Sequence, residues 1–344
     1  MKDQSPAKNF FWDICGHEKN LDFLQLSLSR QQLSHAYLFV GPGHLGKRLV
    51  ADKFVASLFC QSAGPSLPCG QCQPCQQFTK GLHPDFLVLE RELDESADKL
   101  KKNISVEQIR AMKNRLQQGT LLDGFKVALI PEAQHINQNS ANALLKVLEE
   151  PTVKTILILI ADDLQVLPPT LISRCQVLKF LPVASQKIQD YLTLKGALQR
   201  AKVLAKLAHG RPGIAISFFS DPGLLDEYLS NINYFWQLWD QDIFVRLSVV
   251  DKLIAGHGDE AISDDKLTDL LAAWQDILRD LLLINSGADE LVANLDFNSQ
   301  LAKKQGDFSN QKIRLIVGQI QLAKMYLKQN VNPRLVLENL TINL

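Results

Sequence analysis

The first half of the chain alternates short apolar runs with longer segments of helical periodicity. The apolar runs lie in "HAYLFV", "HPDFLVLE", "FKVALI" and "KTILILIA". Unbroken runs of this kind are typical of strands that are buried on both faces of a parallel sheet. Between them, "SVEQIRAMKNRLQQ" and "NQNSANALLKVLEEP" predict helices; the first opens with a capping box of Ser105 and Gln108, and the second stops at Pro151. Alternating strands and helices predict an α/β domain over residues 1–182.

The pattern changes after residue 182, where no strand-like run of comparable strength follows. "SQKIQDYLTLKG" and "LQRAKVLAKLAHG" predict a small helical domain over residues 183–223. Longer segments, among them "DDKLTDLLAAWQDILRDLLLINSG" and "NQKIRLIVGQIQLAKMYLKQ", carry apolar residues at helical spacing and predict an all-helical third domain over residues 224–344. The mixed charges of "DESADKLKKN" predict a solvated loop within the first domain.

The charge balance argues against a protein that binds nucleic acid by itself. The 37 Lys and Arg residues are matched by 37 Asp and Glu residues, so the formal net charge is zero. Autonomous nucleic-acid binders are usually strongly basic, so a DNA contact here would be local or shared with partners. The N-terminal segment lacks the apolar core of a signal peptide, and "TILILIA" is too short to span a bilayer. We therefore expect a cytoplasmic protein.

The stretch "GPGHLGKR" stands between a predicted strand and a predicted helix, which is the context of a phosphate-binding loop. Gly41, Gly43, Gly46 and Lys47 are the candidate nucleotide-binding residues, because backbone N–H groups and a lysine cradle phosphates in such loops. The next residue, Arg48, stands where a Ser or Thr hydroxyl would hold Mg²⁺.

A second magnesium contact is missing from the strand that should carry an Asp followed by a catalytic Glu. This strand reads "VALIPEA", with Pro131 in the place of the Asp and Glu132 retained. Phosphoryl transfer relies on the metal ion, so we predict that the chain does not hydrolyse ATP by itself. The sequence leaves the binding of ATP or ADP without hydrolysis open.

Cysteines concentrate in "CQSAGPSLPCGQCQPC". The spacing lets four thiolates converge on one tetrahedral ion, and four sulfur ligands are typical of a closed structural zinc site. Unligated thiols and a redox CxxC are the alternatives. The candidate zinc ligands are Cys60, Cys69, Cys72 and Cys75. Cys15 and Cys175 lie outside this group and are interpreted as packing residues, and His83 as a structural residue at a strand entrance.

In this order, the altered phosphate loop, the cysteine insertion, "HPDF", "ANALLKVLEEP" and "LISRCQVLKF" resemble the clamp-loader branch of the AAA+ proteins. The resemblance runs essentially end to end, since "NVNPRLVLENLTINL" is similar to the last helices of the family's collar domain. It implies an AAA+ P-loop-type parallel-sheet domain with a four-cysteine zinc module at residues 60–75. It further implies that residues 183–223 form a helical lid domain and residues 224–344 a helical collar that mediates oligomerisation.

The resemblance also implies a role for the Ser173-Arg174-Cys175 motif. In the family the Arg of this motif reaches into the ATP site of the adjacent subunit, where a guanidinium stabilises charge on the transferring phosphoryl group. We therefore expect Arg174 to act as a trans arginine finger. The nucleotide-sensing positions of hydrolysing relatives differ here: Gly213 stands at the lid arginine, with Arg211 slightly out of register, and Ala161–Asp162 replace a Thr or Asn.

The implied function is that of a non-hydrolysing stator subunit in a bacterial DNA polymerase III clamp loader. The implied partners are gamma/tau-type ATPase subunits and a delta subunit in a pentameric ring, the sliding clamp, and primed DNA. A gamma/tau-type subunit that itself hydrolyses ATP is the alternative, and a zinc-bearing interaction module outside replication is a third. Arg110, Lys113, Arg115 and Lys146 are candidates for DNA phosphate contacts, although solvated helix faces have the same appearance in a sequence.

Overall fold

The computed structural model describes residues 9–62, 66–94, 99–122, 124–150, 154–239, 241–255, 264–307, 309–329 and 331–344. The chain divides into two compact units. The first contains the described residues of Met1–Ile188 with Gly210–Gly213, and the second contains those of Gln189–His209 with Ile214–Leu344. The predicted boundaries of the three domains, at residues 182 and 223, are not tested by this division into two units.

The described strands and helices follow the predicted order. The strands are β1 (Asn9–Phe10), β2 (Ala36–Val40), β3 (Ser66–Leu67), β4 (Phe86–Val88), β5 (Leu93–Asp94), β6 (Lys99–Leu100), β7 (Lys126–Ile130), β8 (Thr155–Ala161) and β9 (Gln176–Lys179). The helices are α1 (Glu18–Arg30), α2 (Lys47–Phe59), α3 (Gln73–Thr79), α4 (Val106–Gln117), α5 (Gln138–Glu149), α6 (Pro169–Ile172), α7 (Ser185–Leu194), α8 (Ala201–Leu207), α9 (Pro212–Ser220), α10 (Pro222–Leu238), α11 (Ile243–Ala255), α12 (Asp264–Asn285), α13 (Asn298–Lys303), α14 (Asn310–Lys328) and α15 (Pro333–Ile342). Short 3-10 turns lie at Ala133–His135, Asp289–Leu291 and Leu295–Phe297.

A five-stranded sheet in the order β4-β7-β8-β2-β9 forms the centre of the first unit, and all its neighbouring strands are parallel. Successive residues of its inner strands pack into different cores: in β2, Leu38 belongs to one and Phe39 to the other. This two-sided burial explains the unbroken apolar runs, because a strand covered on both faces has no polar side. The predicted α/β class with a parallel sheet is confirmed.

Local signals for helix ends agree with the structure where it describes them. Helix α4 begins with the predicted capping box: the Ser105 hydroxyl accepts from the Gln108 backbone N–H at 3.2 Å, and the Gln108 side chain accepts from the Ser105 N–H at 2.9 Å. Helix α5 ends at Glu149, and Pro151 lies outside the described residues. The charge run differs from the predicted loop, because β5 at its start and β6 in its middle pair antiparallel. Residues 95–98 lie outside the described chain.

The second unit is built from helices around one apolar core. Trp274, Phe235 and Leu337 are among the residues with essentially no exposed surface there. The described residues after Lys179 contain no strand, as the change in periodicity predicts. In the part of the chain that the structure describes, no helix is both long enough and apolar enough to span a membrane.

Candidate functional site

The phosphate-loop residues lie at the carboxyl end of β2, between β8 and β9. Val40 pairs with Ala161 of β8 and with Lys179 of β9, and the Gly41 N–H continues the pairing by donating to the Ala161 carbonyl at 3.2 Å. Gly41 has a φ of 148°, and a Cβ at this position would collide with the carbonyl oxygen of Phe180. The first loop glycine is therefore required by the close approach of two backbones.

Lys47, the residue that would reach the phosphates, is buried and bound by the loop carbonyls and by a carboxylate after β8. Its ammonium group donates to the carbonyl oxygens of Gly41 and Pro42, the latter at 2.9 Å, and to the Asp162 carboxylate at 3.1 Å. The side chain is only 6% exposed. An ammonium group has three N–H donors, so the intramolecular acceptors can use all of them.

Two further contacts hold the loop carbonyls. His17 Nε2 donates to the Leu45 carbonyl at 2.9 Å, and burial lowers the pKa of this imidazole. The Gly213 N–H donates to the His44 carbonyl at 2.8 Å. A Cβ on residue 213 would lie 2.8 Å from that same oxygen, so a side chain here would have to displace the loop. A glycine at residue 213 thus allows the two backbones to approach this closely.

Arg48, which replaces the magnesium-binding hydroxyl, points its charge at carboxylates. Its Nε donates to both oxygens of Asp52, at 3.0 and 3.2 Å, and its Nη1 lies 3.7 Å from Glu90. Burial raises the pKa of Asp52, and the charge of Arg48 counteracts this rise. A divalent cation at this point would meet a guanidinium instead of an oxygen ligand.

Glu132, the retained acidic residue after β7, is held by Arg91. Arg91 Nε donates to one carboxylate oxygen at 2.9 Å and Nη2 donates to the other at 3.3 Å, a two-point contact with an arginine that is only 18% exposed. Lys47, Arg48 and Glu132 are thus all paired within the chain. Among the described residues, no group of three or more carboxylates or histidines converges as metal ligands would.

The four predicted zinc ligands converge. One sulfur each from Cys60, Cys69, Cys72 and Cys75 lies within 4.8 Å of the others. A tetrahedral Zn²⁺ with bonds of about 2.3 Å would separate its sulfurs by about 3.8 Å, so the arrangement fits this ion. The Cys69 N–H donates to Cys60 Sγ at 3.4 Å and the Cys72 N–H to Cys69 Sγ at 3.3 Å. Such N–H donors stabilise thiolates, and they lower the pKa of Cys69 to about 6, whereas burial raises the pKa of Cys60 and Cys75.

The "HPDF" motif joins the cysteine module to the sheet. His83 stacks on Phe59, the residue before Cys60, with a distance of 3.8 Å between the ring centroids. The Nδ1 atom of His83 accepts from the Asp85 N–H at 3.3 Å. Burial lowers the pKa of His83. The buried Asp85 carboxylate accepts from the backbone N–H groups of Leu121 and Leu122. This agrees with the interpretation of His83 as a structural residue.

Arg174 follows α6 and is tied from two sides. Its Nη2 donates to Glu149 at 2.8 Å and its Nη1 to the Thr170 carbonyl at 3.1 Å. The side chain is 37% exposed, whereas the neighbouring Cys175 packs against a core and burial raises its pKa to about 12. The Cys175 thiol therefore stays protonated at neutral pH and packs as a core residue, as predicted.

A groove of about 570 Å³ lies between α4 and α5. Arg110, Lys113 and Lys146 line it, together with Glu107 and two asparagines. The structure therefore brings three of the four candidate DNA-contact residues together. Arg115 is not among the lining residues; its backbone carbonyl accepts from Lys126 at 3.0 Å.

Sequence reasoning missed the partners of the charged site residues. Lys47 and Asp162 are 115 positions apart, Arg91 and Glu132 are 41 apart, and Arg174 and Glu149 are 25 apart. The only available signal was that a basic residue replaces a metal ligand at Arg48, which calls for an acidic partner nearby.

Comparison with known proteins gives consistent matches. A family model described as DNA polymerase III, delta subunit, matches residues 16–184. A DNA polymerase III subunit delta' from Pseudomonas aeruginosa is 38% identical over 216 residues, which are 63% of this chain and 57% of the relative. A subunit delta' from Bacillus subtilis is 27% identical over 325 residues, which are 94% of this chain and 94% of the relative.

A subunit with another name also occurs among the relatives. A DNA polymerase III subunit tau from Bacillus subtilis is 29% identical over 276 residues, 78% of this chain and 46% of the relative. The chain thus spans about half the length of the Pseudomonas delta' and Bacillus tau relatives. The delta' relative from Bacillus subtilis, in contrast, matches over nearly its full length. The chain is therefore similar to DNA polymerase III delta' subunits over the residues that these matches cover.

Proposed function

We propose that this chain is a non-hydrolysing, delta'-type stator subunit of a DNA polymerase III clamp loader. The observation that carries the proposal is the internal pairing of its phosphate-loop edge: Lys47 with Asp162, Arg48 with Asp52, and Arg91 with Glu132. A site that hydrolyses ATP needs these positions for phosphate, Mg²⁺ and an attacking water. Here, entry of MgATP would require breaking ion pairs without supplying a metal ligand.

The chain contributes to catalysis through Arg174, which acts in trans on ATP bound by the adjacent subunit. The partly exposed guanidinium supports this role, since a trans finger has to reach a phosphate outside its own chain. In the assembled complex, the chain has no ATPase activity of its own and helps to load the sliding clamp on primed DNA.

The partners are gamma/tau-type ATPase subunits and a delta subunit in a pentameric ring. The AAA+ domain spans residues 1–182, the lid domain residues 183–223, and the collar that holds the ring together residues 224–344. The groove between α4 and α5 contributes contacts to DNA phosphates through Arg110, Lys113 and Lys146.

Zn²⁺ is the structural ion of the cysteine module, held by Cys60, Cys69, Cys72 and Cys75. Four thiolate ligands leave no open coordination position for a water, so the ion stabilises the fold and takes no part in a reaction. The converging sulfurs and the N–H donors to Cys60 and Cys69 support this assignment.

The test is the ATPase rate of a reconstituted clamp loader in which the ATPase subunits carry alanine in place of their own finger arginines. The remaining turnover should then depend on this chain. Arg174→Ala should lower it by at least about tenfold, since trans fingers contribute about 10³–10⁵ in other NTPases. Arg30→Ala, which removes an exposed arginine at the end of α1, is the matched control. An unchanged rate with Arg174→Ala would refute the finger role.

The gamma/tau-type alternative is tested on the isolated chain. Calorimetric titration with MgATP and an assay of phosphate release should detect no turnover, because Arg48 and Pro131 provide no magnesium ligand. Sustained turnover by the chain alone would refute the stator proposal and favour the gamma/tau-type alternative.

A further inference from the structure

The ion pair between Glu149 and Arg174 joins two segments that are distant in the sequence. Glu149 is the last residue of α5, and Arg174 follows the short helix α6. Glu149 Oε1 lies 2.8 Å from Arg174 Nη2, and the residues are separated by 25 positions. Neither the altered phosphate loop nor the cysteine module uses this contact.

The contact fixes the guanidinium from one side while the backbone fixes it from the other. Nη1 of Arg174 donates to the Thr170 carbonyl at 3.1 Å, so each terminal nitrogen has one intramolecular acceptor. A guanidinium has five N–H donors in a planar fork, and these two bonds define the orientation of the plane. Further donors of the same fork are left for a phosphate oxygen.

The backbone of the Ser173-Arg174-Cys175 motif is itself held by hydrogen bonds. The Arg174 N–H donates to the Leu171 carbonyl at 3.2 Å, and the Cys175 N–H donates to the Ile172 carbonyl at 3.2 Å. With the backbone held, the remaining freedom of Arg174 lies in its long side chain. Arginine loses much rotamer entropy when it is ordered, so a residue that orders it in advance lowers the entropy lost at the reaction step.

We propose that Glu149 is a positioning residue for the arginine finger: it orients Arg174 for the phosphate of the neighbouring subunit's ATP. The inference rests on the proposed trans role of Arg174. Glu149 is 49% exposed and Arg174 is 37% exposed, so a phosphate oxygen can reach the free edge of the guanidinium while the pair stays in place. Glu149 itself touches no nucleotide in this scheme and acts only through Arg174.

The experiment uses the reconstituted complex in which only this chain supplies a finger. Glu149→Ala should lower kcat for ATP by roughly two- to fivefold, as expected for loss of a partly exposed pair, and leave KM unchanged. Glu149→Gln should restore most of the rate, because its amide oxygen still accepts from Nη2. Glu149→Asp should lose activity like Glu149→Ala, because the shorter side chain withdraws the acceptor from Nη2. In an Arg174→Ala background, Glu149→Ala should have no additional effect.

Glu150→Ala is the matched control, since it removes the same charge from the next residue. Glu150 is exposed and has no ion pair within the part of the chain that the structure describes. Complex assembly by gel filtration and the melting temperature show whether each variant is folded. Equal rates for the Glu149→Ala and Glu150→Ala complexes, a faster Glu149→Ala complex, or additive losses with Arg174→Ala would each overturn the inference. If Arg174→Ala alone leaves the rate unchanged, the proposed function fails first, and this outcome is distinguishable from the others.

Discussion

At the scale of single residues, Glu132 shows how one ion pair changes the use of a carboxylate. In hydrolysing loops an acidic residue at this strand end activates the attacking water. Here both oxygens of Glu132 accept from Arg91. This contact ties the residue after β7 to the segment after β4, which gives Glu132 a structural role.

Glu132→Gln should therefore leave the ATPase rate of the assembled complex unchanged. It should lower the free energy of unfolding of the isolated chain by about 1 kcal/mol or less, the usual contribution of a partly exposed pair. Phosphate release and urea denaturation measure the two effects. The matched control is the Glu→Gln change of the same motif in the ATPase subunits, which should abolish turnover. A comparable loss from Glu132→Gln in this chain would contradict the structural role.

His83 makes the stability of the first unit depend on pH. Because burial lowers its pKa, the folded state resists protonation while the unfolded state takes up a proton near the usual value of about 6.5. The unfolded state then binds more protons, so the free energy of unfolding falls as the pH drops below about 6.5 and is unaffected above it. Protonation of Nδ1 would also remove the acceptor of the Asp85 N–H.

His83→Asn keeps an acceptor near the Nδ1 position but does not titrate. We expect this variant to be less stable than the wild type at neutral pH, since it loses the stacking on Phe59. Its free energy of unfolding should nevertheless fall less steeply between pH values of about 6.5 and 5. Parallel pH profiles from chemical denaturation would show that His83 does not contribute to this dependence.

At the scale of helices and strands, local patterns suffice where burial alone selects the element. The strands β2, β7 and β8 are buried throughout and, after Lys126 and Thr155 at the starts of β7 and β8, apolar, because they are covered on both faces. Helix α4 is marked by its capping box. The β5–β6 pair lacked such a signal, since this charged segment forms strands only through the pairing of Leu93–Asp94 with Lys99–Leu100. The four-cysteine cluster was predictable from spacing, whereas the ion pairs of Lys47, Arg91 and Arg174 depend on tertiary contacts that no local pattern encodes.

The groove between α4 and α5 belongs to this scale, because neither helix alone provides it. Replacing Arg110, Lys113 and Lys146 by alanine should weaken binding of the reconstituted complex to primed DNA. Removal of each phosphate contact should reduce the slope of log K against log salt by about 0.9, so the slope of the triple variant should fall by up to about 3. Filter binding over a salt series measures the slope.

The control is a triple alanine variant of exposed lysines in the first unit, Lys19, Lys80 and Lys154. It removes the same charge from positions outside the groove. If both triple variants change the slope equally, the effect reports net charge and the groove has no specific contact.

At the scale of the whole molecule, the two units have separate cores. Trp274 and Phe235 belong to the core of the second unit, whereas the sheet divides the cores of the first. The cysteine module lies in the first unit, where Phe59 and His83 connect it to the sheet. An ion bound there stabilises the first unit because it binds the folded state.

Zinc removal should thus lower the melting transition of the first unit and leave that of the second in place. The expected loss is about 4 kcal/mol when free zinc exceeds its dissociation constant about a thousandfold. Calorimetry before and after chelation, with metal analysis, checks both parts. Cys72→Ser should lose the zinc, while Cys175→Ala, outside the cluster, should retain one ion per chain. Unchanged melting after chelation would exclude a structural site.

The burial of Lys47 has a chemical consequence. An amine reacts with an acylating reagent only when the reagent can reach it, and the Lys47 side chain is 6% exposed and bound to oxygen acceptors. A succinimidyl ester should therefore modify Lys19 and Lys80 early, and Lys47 among the last lysines, together with the equally buried Lys126. Peptide mass spectrometry with and without MgATP would then report the state of the loop. If MgATP displaces the internal contacts of Lys47, the acylation of this residue changes, and if the contacts persist, it stays the same.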